Sequence, residues 1–403
     1  MTASPMSGPV GKVTTVRVPD VTVEPWTKGF AVAEATPGTA LIGESLFGGA
    51  FTFPVMVAYR DALDHNIATL AAFAREHGLE LAPHAKTTMA PALLAAQEAA
   101  GAWGFTVATP SQAMTLRRFG VRRLLLANEP VDPAGLRFLA AELDRDPDFE
   151  LLCYADSAEG VALLSAHAGR RPFRVLAELG YYRTGARDLD ALLAVAAAVR
   201  AAPGVELAGV AGYEGGYGTA EEVAGYTARL VEALARAGGE VLSVGGSAWF
   251  DVIADTLAGC DAVKILRSGC YVTHDHGLYA ASTPYTRIPG ELRPALEVWA
   301  HVLSAPEPGV AVCGLGRRDA PFDAGMPVPL RVRRADGTLE PVTGASVTLL
   351  QDQHAVLSGA AGLRPGELVA FGISHPCTAM DKWRILPVVD DDHTVVDVIA
   401  TYF

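Results

Sequence analysis

The chain has 403 residues, of which 50% are hydrophobic, and a formal net charge of −13 at pH 7. This acidity argues against a nucleic-acid partner, because phosphate binding requires a cationic face. No apolar run of about 18 residues occurs, so no membrane span is expected. The N-terminus lacks a signal-peptide core and the five cysteines are scattered, which favours a reducing cytoplasm.

From about residue 60, apolar strand-like runs alternate with helical stretches rich in alanine and leucine. Asp61 is expected to cap the first helix, which ends before Gly78. Continuous apolar strands that alternate with helices are typical of parallel βαβ units, and eight units fit a closed (β/α)8 barrel. An open doubly wound sheet is the alternative. The eight strand-like runs are LELAPHA, FTVATP, RRLLLANE, FELLCYA, FRVLAELG, VELAGVAGY, VLSVGGS and DAVKILRSG.

After about residue 285 the pattern changes to strands with almost no helix. Asp336-Gly337 is a hairpin signal between VPLRVR and LEPVTGASVTLL, and the strand-like runs ELVAFGI, RILPVV and TVVDVIATYF follow. The sequence therefore predicts an α/β barrel at 60–285 and a C-terminal β-rich domain at 286–403. The N-terminal segment, 1–59, is expected to pack with the β domain through FPVMVAY.

A lysine ends the first predicted barrel strand, in the stretch APHAKTT. Active sites of (β/α)8 barrels lie at the carboxyl ends of the strands, and this chain places polar residues there. Lys86 is one of only five lysines, and a partly desolvated amine at this place can form a Schiff base. A surface lysine on a loop is the alternative interpretation.

Glycines and a cation follow the last two predicted strands. Gly245, Gly246 and Ser247 leave backbone N–H groups open to an anion, where many barrels bind phosphate. Arg267 suits a ring nitrogen or a phosphate, with a structural salt bridge as the alternative, and Gly269 permits close approach of the backbone. A Schiff-base lysine opposite a phosphate cradle is what pyridoxal phosphate requires.

Near the end of the chain, ISHPCTAMDKWR places His375 and Cys377 two positions apart. A structural zinc site needs four protein ligands, so two ligands predict an open, catalytic metal site. A β-domain turn with a buried thiol is the alternative. Asp381 and Trp383 are expected to brace this loop. His354, in QDQHAVL, is expected to line the pocket as ligand support or as an acid or base, with a solvated loop histidine as the alternative.

Four of these stretches, PHAKT, ELGYYRTG, GGS and RSG, in this order after strands one, five, seven and eight, resemble the fold-type III pyridoxal-phosphate enzymes, the alanine-racemase-like group. Within that group, QDQHAVL followed by ISHPCTAMDKWR is similar to the D-serine dehydratase and D-threonine aldolase branch. The resemblance runs from about residue 50 to the end.

The resemblance implies a barrel with a β domain and a homodimer whose active sites lie near the domain interface. Lys86 would bind pyridoxal 5'-phosphate covalently, and either Arg267 or Tyr181 would face the pyridine nitrogen. The family's metal ligands fall on His375 and Cys377, and a thiolate favours Zn2+ over Mn2+. The implied cofactor-binding residues are Lys86, Tyr181, Arg183, Tyr213, Gly245, Gly246, Ser247, Arg267, Gly269 and Cys270.

The implied activity is dehydration and deamination of a D-β-hydroxy amino acid such as D-serine or D-threonine. Lys86 would remove the α-proton, the metal would help the β-hydroxyl to leave, and a 2-oxo acid and ammonia would form. The D-configuration comes from the resemblance alone. Retro-aldol cleavage of the D-threonine-aldolase type is the alternative, with His354 as the base at the β-hydroxyl.

The aldolases tend to carry an oxygen ligand where Cys377 stands, so the thiolate favours elimination. A non-catalytic pyridoxal-phosphate-binding homeostasis protein is a further alternative, although such proteins usually lack a second domain. Serine, threonine and 3-hydroxyaspartate all stay open as the substrate.

Overall fold

The computed structural model describes residues 16–403, so residues 1–15 of the predicted N-terminal segment lie outside the described residues. The described chain begins with two short antiparallel strands, β1 (Thr22–Val23) and β2 (Thr36–Pro37). The buried strand β3 (Val55–Tyr59) leads directly into α1 (Arg60–Glu76). Asp61 lies in the first turn of α1 and does not cap it; its carboxylate there is favourable to the helix dipole.

Eight parallel strands follow, one at each of the eight strand-like runs of the sequence. The strands are β4 (Glu80–Leu81), β5 (Phe105–Val107), β6 (Arg123–Leu126), β7 (Glu150–Ala155), β8 (Phe173–Leu179), β9 (Val205–Gly212), β10 (Val241–Ser243) and β11 (Val263–Leu266). The helices after them are α2 (Pro91–Ala99), α3 (Pro110–Arg118), α4 (Pro133–Arg145), α5 (Ala158–His167), α6 (Leu189–Ala201), α7 (Ala220–Ala237), α8 (Phe250–Thr256) and the short α9 (Leu278–Ser282).

The sheet closes on itself. Its strands pair in sequence from β5 to β11, and β11 pairs with β4. Between β4 and β5 a single bridge, His84 to Thr106, replaces a regular ladder, and the Thr106 hydroxyl donates to the Ala82 carbonyl at 2.7 Å. The predicted (β/α)8 barrel is therefore confirmed, and the open sheet is excluded.

Polar side chains fix where the barrel helices begin. Thr109, Asp132, Ser157, Asp188 and Thr219 each accept a hydrogen bond from a free backbone N–H in the first turn of the helix that follows. All five stand in loops that leave the carboxyl ends of strands. These caps hold the loops around the barrel mouth in fixed positions.

The rest of the chain forms an antiparallel β domain, and Asp336-Gly337 makes the predicted hairpin turn between two of its strands. Strand β3 lies in the sheet of this domain, because it pairs with both β12 and β19. The strands are β12 (Leu296–Glu307), β13 (Val310–Cys313), β14 (Val328–Arg333), β15 (Leu339–Pro341), β16 (Ser346–Leu350), β17 (Ala355–Ser358), β18 (Leu368–Gly372), β19 (Ile385–Val389) and β20 (Val395–Ala400).

One hydrophobic core joins α1 of the barrel to the β domain and includes the fully buried Trp299, Phe371 and Trp383. A second core fills the space between the barrel strands and their helices. The continuous core holds the β domain against the barrel mouth. Within residues 16–403, the helices are too short or too polar to cross a lipid bilayer.

Candidate active site

The barrel mouth and the β domain together enclose a cavity of about 460 Å³, a size typical of small-ligand sites. The barrel contributes the loops after its strands, and the β domain contributes one loop after β18. Eleven of the residues predicted for the site line this cavity: Lys86, Arg183, Tyr213, Gly245, Gly246, Ser247, Arg267, Gly269, Cys270, His375 and Cys377.

Lys86 lies half-buried in a single 3-10 turn, Ala85–Thr87, in the loop that follows β4. Its neighbour His84 also faces the cavity. Burial, and then the charges of Lys86 and Arg267, hold the pKa of His84 well below its usual value, so its ring is neutral at pH 7. The buried Nδ1 of His84 has no hydrogen-bond partner among residues 16–403. An amine and an unsatisfied imidazole nitrogen are therefore both available to a ligand.

The loop after β10 binds a carboxylate. Gly245 has φ +107°, and a Cβ there would lie 2.3 Å from Leu266, so only glycine fits. The N–H groups of Gly245 and Gly246 donate to Glu214 at 3.1 and 2.6 Å. Glu214 is buried at the end of β9. The loop thus favours anionic oxygen, as a phosphate cradle must, but Glu214 takes two of the predicted amide donors.

Arg267 is buried below the cavity and bonds to neutral oxygen atoms. Its guanidinium donates to the Ser243 hydroxyl at 2.7 Å and to the Gly212 carbonyl at 2.6 Å. Within residues 16–403, Arg267 therefore does not form the structural salt bridge that was the alternative interpretation. The Arg183 guanidinium lies over the Tyr213 ring at 4.5 Å, which holds that ring on one side of the cavity.

Three soft metal ligands meet on the β-domain side of the cavity. The ligand atoms of Cys270, His375 and Cys377 all lie within 4.8 Å of one another, and the two sulfur atoms are 3.2 Å apart. Thiolate and imidazole donors at these separations fit Zn2+. Cys270 was predicted as a cofactor contact and was not predicted as part of this cluster.

His375 is oriented by a carboxylate. Its Nδ1 is 2.6 Å from Asp323, which also accepts a hydrogen bond from the Thr378 hydroxyl at 2.7 Å. This leaves Nε2 for a metal, the arrangement that metal-binding histidines commonly have. The sequence predicted that Asp381 braces this loop, but Asp381 is exposed. Asp323 has that role instead, through its contacts with His375 and Thr378. Trp383 does brace the loop: it is buried and donates to the Asp319 carbonyl at 2.9 Å.

The pKa values of Cys377 and His375 are shifted in opposite directions, down for the thiol and up for the imidazole. Hydrogen bonds from Cys270, and then from His375 and Thr87, hold the pKa of the Cys377 thiol well below its usual value despite its burial. The bond to Cys377, reinforced by Asp323, raises the pKa of His375 to about 9. A metal ion would replace the proton that His375 and Cys377 share.

Two predicted residues are not brought to the cavity. The Tyr181 hydroxyl accepts a hydrogen bond from the Gly216 N–H at 2.6 Å, and its ring stacks on Tyr217 with centroids 4.2 Å apart. This placement leaves Arg267 as the predicted ring-nitrogen partner that lines the cavity. His354 is exposed in the turn before β17, where its carbonyl accepts from the Gln351 N–H at 2.8 Å.

Sequence reasoning also missed cavity residues, among them His84, Tyr154, Glu178 and Tyr279. Glu178 lies near the carboxyl end of β8, and Glu214 lies just beyond the end of β9. A charged residue at the carboxyl end of a predicted barrel strand is the sequence signal that indicates both positions. Burial and the neighbouring Glu178 raise the pKa of Glu129 to about 9. Glu129 therefore retains its proton at neutral pH.

Two family models match the chain. Residues 59–273 match the alanine racemase N-terminal domain, and residues 295–389 match a putative serine dehydratase domain. The first match covers all eight barrel strands. The second covers the part of the β domain that carries His375 and Cys377.

Curated relatives match most of the chain at low identity. D-threonine aldolase of Arthrobacter sp is 28% identical over 335 residues, which is 79% of this chain and 83% of that protein. 3-Hydroxy-D-aspartate aldolase of Paracoccus denitrificans is 26% identical over 289 residues, 68% of this chain and 74% of that protein.

Solved structures agree with the fold. D-threonine aldolase from Filomicrobium marinum superimposes with a TM-score of 0.75 at 26% identity, over 87% of this chain and 95% of that one. D-threo-3-hydroxyaspartate dehydratase from Delftia sp. HT23 gives 0.69 at 23% identity, over 87% and 97%. The two architectures share the barrel and the β domain found here.

Proposed function

Because this chain belongs to the fold-type III pyridoxal-phosphate family, with an alanine-racemase-type barrel, we propose that it is a pyridoxal-phosphate- and metal-dependent lyase of D-β-hydroxy amino acids. The proposed reaction removes water and then ammonia from a substrate such as D-serine or D-threonine and leaves a 2-oxo acid. One observation carries this proposal: the amine of Lys86 and the soft ligands Cys270, His375 and Cys377 line one cavity.

The two groups that the site would hold have distinct tasks. When bound, pyridoxal phosphate stabilises negative charge at the substrate Cα, and the metal polarises the β-hydroxyl. Lys86 would hold the cofactor, Gly269 and the loop after β10 would face its phosphate, and Arg267 would face its ring. His375 and Cys377 would hold the metal.

The chain's own residues would then move the protons. Once the substrate amine has displaced it, the free Nζ of Lys86 removes the proton from the substrate Cα, and the β-hydroxyl leaves with the Cβ–O electron pair. The proton that Lys86 took then joins the departing hydroxide to give water. Hydrolysis of the resulting C=C–N unit by one water gives the 2-oxo acid and ammonia. The side chains of Tyr213 and Arg183 pack together at the cavity wall and restrict the substrate's orientation.

Retro-aldol cleavage is the second candidate, and both curated relatives described above are named as aldolases. It would break the Cα–Cβ bond and requires a base at the β-hydroxyl. His354 does not line the cavity, whereas the neutral ring of His84 does. The thiolate ligands favour elimination over this alternative, because the aldolase branch tends to use an oxygen ligand.

The test is incubation of the holoenzyme with the D- and L-forms of serine, threonine and 3-hydroxyaspartate, with separate assays of 2-oxo acids and aldehydes. We expect D-threonine to give 2-oxobutanoate and ammonia in equal amounts. Glycine and acetaldehyde without 2-oxobutanoate would replace elimination by retro-aldol cleavage. A protein that binds the cofactor but turns over no substrate would support the non-catalytic homeostasis role.

A further inference from the structure

We propose that Cys270 is a third protein ligand of the metal, so that this chain builds a site of two thiolates and one imidazole. The inference rests on the proposed metal-dependent function and goes beyond the predicted pair His375 and Cys377. It also changes the role of Cys270, which the sequence indicated only as a contact of the cofactor phosphate.

The three ligands come from two domains. Cys270 begins the 3-10 turn Cys270–Val272 in the loop that follows β11, whereas Cys377 lies in the turn Pro376–Thr378 of the β domain. Their sulfur atoms are 3.2 Å apart, and the Thr87 hydroxyl lies 3.3 Å from the Cys377 sulfur. Both cysteines are free thiols, since 3.2 Å is well beyond a disulfide bond length of about 2.05 Å.

The geometry needs little adjustment to hold zinc. With Zn–S bonds of about 2.3 Å and tetrahedral angles, two sulfur ligands stand about 3.7 Å apart. The observed separation of 3.2 Å is therefore only about 0.5 Å shorter than the separation that zinc requires. The ligand atoms of all three residues already lie within 4.8 Å of one another.

Surroundings also favour a cation here. Cys270 is 5% exposed, and a buried thiolate is stable only beside a cation. His375 is fixed by Asp323, and its second nitrogen is free for the metal. Two thiolates and a neutral imidazole balance the charge of Zn2+. The backbone N–H of Cys270 is separate from its side chain, so a phosphate contact by that N–H is compatible with this role.

A third ligand restricts the substrate. A tetrahedral site with three protein ligands leaves one open position, as in catalytic zinc sites. A substrate would then reach the metal through its β-oxygen alone and would not chelate it with a carboxylate as well. Two thiolates also select zinc over manganese more strongly than one does.

The experiment counts sulfur atoms at the metal. Zinc-loaded wild-type protein, Cys270→Ser, Cys377→Ser and the control Cys260→Ser are purified under reducing conditions. Zinc-edge X-ray absorption gives the number of sulfur ligands, and competition with a chelator gives the affinity. We expect two sulfur atoms in wild type and in the control, one in Cys270→Ser, and at least about 10-fold weaker zinc binding in that variant.

The outcomes separate this inference from the proposed function. One sulfur ligand in wild type, with unchanged affinity in Cys270→Ser and lost zinc in Cys377→Ser, would overturn the third ligand and leave the metal site intact. A Cys270–Cys377 disulfide in zinc-loaded protein would also overturn it. Wild-type protein that binds no zinc would refute the metal-dependent function as well. The wild-type sulfur count does not depend on how well any variant folds.

Discussion

Lys86 and His84 are two residues apart on the same short turn, and both face the cavity. Both side chains are half-buried. Burial of its ring and two nearby cations disfavour protonation of His84, so its imidazole is neutral. At the residue scale the site therefore offers the amine of Lys86 and one neutral imidazole.

Replacement of Lys86 by Ala should abolish covalent cofactor binding, because no other lysine lines the cavity among the described residues. Wild-type protein should show a visible absorbance band that borohydride removes, with the label on the peptide containing Lys86. Lys264→Gln, in β11, is the matched control and should keep the band. A labelled peptide around Lys264 would contradict the assignment.

Asp323→Asn should weaken metal binding by about 10- to 100-fold, the usual effect of removing a carboxylate that orients a metal-binding histidine. The amide keeps the size of the side chain but loses the charge that fixes the His375 ring. Zinc affinity by chelator competition measures the effect. The control Asp381→Asn changes an exposed carboxylate of the loop that carries His375, and this variant should bind zinc like wild type. Equal losses in both variants would refute a specific role for Asp323.

At the scale of elements, the seam of the barrel, defined here as the junction between β4 and β11 with the loops that follow them, depends on a glycine. Strand β4 pairs with β11 over only two residues, so the loops beyond them carry much of the contact. Gly269, after β11, lies against the turn that holds Lys86, where a Cβ would meet the His84 carbonyl and the Thr87 hydroxyl at 2.8 Å. The close approach of the Gly269 backbone to this turn therefore fixes the position of the Lys86 amine.

Gly269→Ala should lower the free energy of unfolding by about 1–3 kcal/mol, because the seam must open to admit the methyl group. It should also weaken cofactor binding, since the displaced turn carries Lys86. Denaturant titration and cofactor titration measure the two effects. The control Gly259→Ala meets no atom within 4 Å and should change stability by less than about 0.5 kcal/mol. If Gly269→Ala left both the free energy of unfolding and cofactor binding unchanged, the seam would not be tightly packed.

At the scale of the whole molecule, buried histidines lie where the barrel, the N-terminal segment and the β domain meet. His274 and His276 lie in the loop after β11, and the His276 N–H donates to the Ile373 carbonyl next to β18. His393 contacts the Tyr59 hydroxyl of β3 at 3.1 Å. Burial lowers the pKa of each of these three histidines to about 4.

These histidines should make the protein sensitive to acid. Each folded-state pKa lies below the usual value of 6.5, so each stabilises the fold above pH 6.5 and loses that contribution as the pH falls to about 4. The expected loss is about 1–3 kcal/mol per histidine. Denaturant titrations at pH 7 and pH 5 measure it.

The variant His393→Gln should reduce the pH dependence of stability, because glutamine does not titrate. His354→Gln is the control: this side chain is exposed and lies outside the buried junction, so the wild-type dependence should persist. The same pH dependence in all three proteins would show that carboxyl groups, and not His393, control acid stability.

Local patterns were sufficient for the fold and for part of the site. Strand periodicity located all eight barrel strands, since each buried strand must be apolar along its length. The place of Lys86 at a strand end and the spacing of His375 and Cys377 needed no knowledge of distant contacts. These features are encoded within a few consecutive residues, which is why the sequence alone determined them.

Only the tertiary structure decided which distant residues meet. Cys270 and Cys377 are 107 positions apart, and their contact depends on how the β domain docks on the barrel. The same docking brings Asp323 to His375, while loop geometry keeps Tyr181 and His354 out of the cavity. Such contacts arise from the packing of whole elements around a shared core, which no short stretch of sequence contains.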